Sequence, residues 1–165
     1  MPMFYDEKDI VYTLISAEPK ACARIRGSDA YPELWGEVCF YPFGKGSLAA
    51  VYASGLPTND ETCSTTFFGF HIHEGGSCTG NATDPFADTG AHLNPQKRPH
   101  PCHLGDLPPL AGSHGTALAV FYMGAFVPED MAGHTVIIHE KPDDFTTQPS
   151  GNSGSKIGCG EIKVL

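Results

Sequence analysis

Apolar and polar residues alternate along much of this chain with a period of two, the mark of strands with one face buried. Residues 20–26 and 34–41 alternate in this way and are separated by Gly27-Ser28-Asp29-Ala30-Tyr31-Pro32, which predicts a hairpin with a longer loop. Residues 47–53 predict a third strand, ended by a Gly55-Leu56-Pro57 turn and a polar loop over 57–64. Further strands are expected at 66–74, 116–123, 135–140 and 159–164. Residues 5–16 are ambiguous: Ile10, Val11, Leu14 and Ile15 fit one helical face, yet Val11 to Ile15 also fits a strand. We read 1–18 as an N-terminal extension and 19–165 as one domain. With 19 Gly and 14 Pro in 165 residues, turns are frequent and strands short. The expectation is an all-β Greek-key barrel or sandwich of about eight antiparallel strands.

Candidate chemistry gathers where this alternation stops. Residues 81–109 are rich in Gly, Pro, Asp and Asn and show no sustained period, and a loop of that length is commonly functional. Five of the eight histidines, His71, His73, His92, His100 and His103, lie between residues 69 and 106, which Asp106 closes. His71 and His73 stand on one face of a strand, where two imidazoles can share a metal. The plainer reading is two histidines on a solvated face. His100, His103 and Asp106 offer two imidazoles and a carboxylate, and one more histidine completes a tetrahedral zinc set. His114, in a predicted turn, and His134 read as structural or solvated.

Five stretches, in order, carry a resemblance: Gly-Phe-His-Ile-His-Glu, Gly-Ala-His-Leu-Asn-Pro, His-Leu-Gly-Asp-Leu, His-Thr-Val-Ile-Ile-His-Glu-Lys and Gly-Asn-Ser-Gly-Ser-Lys-Ile-Gly-Cys-Gly. Together they resemble the copper/zinc superoxide dismutase family, from about Lys20 to the C-terminus, with the short spacings of its bacterial branch. The resemblance implies copper held by His71, His73, His92 and His139. It implies zinc held by His92, His100, His103 and Asp106, so that His92 bridges the metals. It implies disproportionation of the superoxide anion to O2 and H2O2 by copper cycling between Cu(II) and Cu(I), with zinc as structural and electrostatic partner. Asp143 matches the carboxylate that would hydrogen-bond His71 and His100. Cys78 and Cys159 match the family's disulfide.

Two departures from the family stand out. The position of its usual anion-guiding arginine is Lys156, which keeps the charge but not the planar fork. Activity at a reduced rate is therefore expected, and Lys141 offers further positive potential. The inserts between His100 and His103 and between His139 and Cys159 are short, which opens the copper to solvent. The alternative function is a metal-binding module without turnover.

Charge and cysteine content narrow the remaining choices. A net charge of -9 argues against nucleic acid and anionic membrane surfaces as partners. No apolar run has the roughly 18 residues of a spanning helix. The acidic start, with no long apolar core, does not read as a secretory signal, which points to the cytoplasm unless a signal has been removed. Monomer and homodimer both stay open. Cys22 and Cys39 fall on the first hairpin as expected cross-strand neighbours and a candidate bridge. Cys63 and Cys102 have no assigned partner, and Cys102, beside His103, is an alternative contact for zinc.

Overall fold

The computed structural model describes residues 13–14, 16–58 and 65–165. Residues 1–12, with most of the expected extension, and 59–64, with Cys63, lie outside the described residues. The described strands are β1 (Ala21–Gly27), β2 (Trp35–Phe43), β3 (Gly46–Ser54), β4 (Thr65–Phe68), β5 (Phe70–His73), β6 (Leu110–Ser113), β7 (Thr116–Met123), β8 (Thr135–His139), β9 (Lys156–Glu161) and β10 (Lys163–Val164). They run in the order β4-β6-β7-β3-β2-β1-β9-β8-β5, with β10 on β1. Every pairing is antiparallel. The two ends of this path, β4 and β5, are joined through Gly69, so the sheet is a nearly closed barrel and its edges are largely removed.

Alternation sets the inside. Ala23, Ile25, Val38, Phe40, Ala49 and Val51 point inward from β1, β2 and β3 and meet Phe70, Ile72, Val136, Ile138 and Ile157 from the opposite wall. On β5 the parity leaves His71 and His73 on the outer side of the wall, where the long loop covers them.

Two strand expectations need correction, and one strand is additional. Residues 66–74 are two strands, because the chain changes partners at Gly69: β4 pairs β6, whereas β5 pairs β8. Gly69 N–H donates to Lys141 O at 2.8 Å and Gly69 O accepts from His139 N–H at 2.8 Å. The last strand does not begin at Cys159; β9 starts at Lys156 and the ladder breaks at Ile162, which turns inward at 3 % exposure. Gly158 and Gly160 hide the apolar period there, since Leu34 and the Arg24 carbonyl leave no room for a Cβ. Leu110–Ser113, just past the predicted loop, carries too little alternation over four residues with a glycine to announce itself; pairing with β4 and β7 makes it a strand.

Candidate metal centre

Strand register places the first group of histidines. His71 and His73 share the outer face of β5. On β8 a bulge between Ile138 and His139 shifts the β9 partner so that His139 lies opposite Lys156. The loop carrying His92 is stitched to β5 through its backbone: Leu93 N–H donates to Ile72 O, Ile72 N–H to Gly105 O, and Glu74 N–H to Ala91 O, at 2.8, 2.8 and 2.9 Å. His71, His73, His92 and His139 are thereby gathered at 5 % exposure or less.

Four of the rings have one nitrogen fixed by an acceptor. His71 Nε2–H donates to Asp143 Oδ2 at 2.8 Å, His73 Nδ1–H to Gly90 O at 2.9 Å, and His139 Nδ1–H to Gly154 O at 3.2 Å. His100 Nε2–H donates to Asp143 Oδ1 at 2.8 Å. The remaining nitrogens carry lone pairs, and they point at one another. His71 Nδ1, His92 Nε2, His100 Nδ1 and His103 Nδ1 are buried with no hydrogen-bond partner. His73 Nε2 faces His139 Nε2 at 3.3 Å, two lone pairs in opposition once the other nitrogens hold the protons. Lone pairs converging out of water fit a shared cation.

Two sets of donor atoms meet this description among the described residues: His71, His73, His92 and His139, and His92, His100, His103 and Asp106, each with its ligand atoms within 4.8 Å of one another. In the second, Asp106 Oδ1 lies 2.8 Å from His92 Nδ1 and 3.3 Å from His103 Nδ1, and Oδ2 lies 3.1 Å from His100 Nδ1. His92 belongs to both, one nitrogen to each. An all-imidazole set suits copper, and three imidazoles with a carboxylate suit zinc.

Electrostatics keeps His71, His73 and His139 in their ligand form. Burial first, and the neighbouring imidazoles second, push the His71 and His73 rings down to about 2. Burial holds His139 down to about 4. The rings are neutral near pH 7, as metal binding requires. Burial acts upward on Asp106, yet hydrogen bonds from the His92 ring and His103 N–H hold it below the usual carboxylate range.

Asp143 ties the two sets together through His71 and His100, and Phe145 N–H at 2.7 Å steadies its Oδ1. Gly151, at φ +67°, lets the backbone cross over this network, where a Cβ would overlap the Asp143 carboxylate and the His100 ring. Sequence reasoning missed Gln148, whose side chain bonds His100 N–H at 2.9 Å and His100 O at 2.7 Å. No local pattern announces such a clamp across 48 residues.

A cavity of about 570 Å3 opens over His73, His92 and His139, with Lys156 in its wall. Lys156 Nζ donates to Asp84 Oδ2 and to Phe86 O, both at 3.0 Å. Asp84, a lining residue the sequence did not single out, offsets that charge. Lys141 is exposed and does not line this cavity. Cys102 is exposed, free and in neither ligand set. His134 Nδ1–H donates to Glu74 O at 3.0 Å, and His114 occupies a turn at φ 49°. Both expected disulfides are formed, Cys78–Cys159 between the loop and β9 and Cys22–Cys39 across β1 and β2.

The family model of copper/zinc superoxide dismutase (SODC) matches residues 36–162. Superoxide dismutase [Cu-Zn] 2 of Aquifex aeolicus (strain VF5) is 28% identical over 169 residues, covering 93% of this chain and 92% of that protein. The crystal structure of a SOD-like protein from Bacillus subtilis superposes with a TM-score of 0.70 at 28% identity, over 85% of this chain and 96% of that one. Cu/Zn superoxide dismutase from Brucella abortus shares the fold, with a TM-score of 0.72 at 21% identity over 87% of this chain and 100% of that one.

Proposed function

This chain belongs to the copper/zinc superoxide dismutase family, and from that premise we propose that it disproportionates superoxide to O2 and H2O2. The observation that carries the reading is the pair of buried donor sets sharing His92. His71, His73, His92 and His139 would hold copper, and His92, His100, His103 and Asp106 would hold zinc. Copper supplies the one-electron couple, and zinc, which has no second accessible state, supplies structure and charge.

The chain's own groups supply the rest. Lys156 Nζ draws the anion into the cavity; two of its three donors are engaged and one remains for the substrate. Asp84 lowers the local potential, consistent with a slower enzyme than one with a free guanidinium at this place. His92 Nε2 can hold a proton and release it toward a peroxide product. Asp143 fixes the tautomers of His71 and His100, so their free nitrogens face the metals.

A second reading, a metal-holding module without turnover, draws on the Lys156–Asp84 ion pair and on a relative described only as SOD-like. Stopped-flow superoxide decay, with one copper and one zinc assayed per chain, separates the two. Fast decay that slows with added salt supports the enzyme. Decay no faster than in buffer, with both metals bound, leaves the module.

A further inference from the structure

The two disulfides line one groove of about 830 Å3 on the outer face of β1, β2 and β9, away from the histidines. Their surroundings differ. Cys159 is 2 % exposed and packs with Phe86 and Ile137, so a thiolate released there would sit against apolar side chains. Cys22 and Cys39 are both half-buried. In the strand register Cys22 lies opposite Cys39 on one side and Lys163 on the other. Arg24 and Arg26 project from the same face of β1 as Cys22.

We propose that Cys22–Cys39 is a thiol–disulfide exchange site for small thiols that carry carboxylates. Lys163 pairs with Glu161 at 3.3 Å, whereas Arg24 and Arg26 form no ion pair among the described residues. Glu37 lies opposite Arg24 in the ladder, and Glu161, engaged by Lys163, lines the same groove. Two guanidiniums beside a disulfide, without an ion pair among the described residues and on a chain of net charge -9, mark a local site for an anion. The incoming thiolate attacks Cys39 Sγ. A mixed disulfide forms there, and the S–S bond electrons leave with Cys22 Sγ as a thiolate, which the nearby cations stabilise. A second thiolate attacks the mixed disulfide, releasing the oxidised small-molecule disulfide and the Cys39 thiolate. Two electrons enter the protein, both thiolates take protons from solvent, and the Cys78–Cys159 bridge stays closed. The six residue pairs between β1 and β2 hold the hairpin without its bridge.

The test exposes the metal-loaded full chain to reduced glutathione or to cysteamine, a cationic thiol, at equal thiolate concentration. Samples are quenched by alkylation and the adducts mapped by mass spectrometry. The expected result is an adduct at Cys39, alkylation at Cys22 before Cys78 or Cys159, and glutathione reacting faster than cysteamine. Arg24→Gln with Arg26→Gln should slow glutathione about fivefold, the scale of one close charge pair in water, and leave cysteamine unslowed. Opening of Cys78–Cys159 first or at the same rate would overturn the proposal. So would equal rates for the two thiols, or a glutathione rate indifferent to the arginine substitutions.

Discussion

The two donor sets differ in what holds them. In the first, three of four imidazoles come from adjacent strands: two from alternate positions of β5, and one from the end of β8, re-aimed by a bulge. In the second, every group comes from the loop, and His103 and Asp106 are only half-buried. Backbone ladders fix three of the first set's four rings whether or not a metal is present. The second depends on tethers: Asp143 and Gln148 on His100, the backbone bonds from β5, and the Cys78–Cys159 bridge. A site built on strands is shaped by the core, and a site built on a loop by its attachments.

His73→Ala breaks the strand-built set alone and carries the largest expected effect. Turnover should fall to the uncatalysed rate while zinc stays bound, which activity and metal content measured on one sample would check. Retained activity would remove His73 from the copper position.

Acid should act on the strand-built set next. In the metal-free protein His71 and His73 titrate at about 2 and His139 at about 4, below the ordinary 6.5. As pH falls through 6.5 the unfolded chain takes up protons that the folded chain refuses, so stability is full above 6.5 and drains below it. Each ring contributes a slope of up to about 1.4 kcal/mol per pH unit. The His139 share ends near 4 and the other two continue toward 2. Denaturant melts of metal-free protein between pH 7 and 5 give the slope directly, and a flat profile would contradict buried neutral rings.

Opening the loop's staple is a smaller change. Cys78→Ser with Cys159→Ser should lower stability by about 2–4 kcal/mol and weaken zinc more than copper; an unchanged melting temperature would count against the staple. The smallest effect concerns charge at the cavity. Asp84→Asn should raise the superoxide rate severalfold at low salt by freeing Lys156, and Lys156→Gln should lower it. A rate indifferent to both would take Lys156 out of the anion's path.

Much of this was legible in the residues, for reasons that also explain the gaps. Alternation located the barrel's long strands, and the same parity put His71 and His73 on one face. The cross-strand Cys22–Cys39 pairing followed from placing a hairpin turn near Pro32. Gly69 hid the change of partners between β4 and β5, because a strand that switches edges keeps its apolar period. Gly158 and Gly160 hid the start of β9. Asp84 and Gln148 were invisible because their partners, Lys156 and His100, lie 72 and 48 residues away, and such contacts exist only once the loops are closed.

If two metals meet on one imidazole, a metal titration of the metal-free chain will show it. Zinc is added first and copper second, with metal content and the copper spectrum followed together. The expected result is one zinc and one copper per chain, and a copper spectrum that shifts when zinc is withheld, since His92 is in both donor sets. Zinc filling both sets to the exclusion of copper, or a copper spectrum indifferent to zinc, would contradict it.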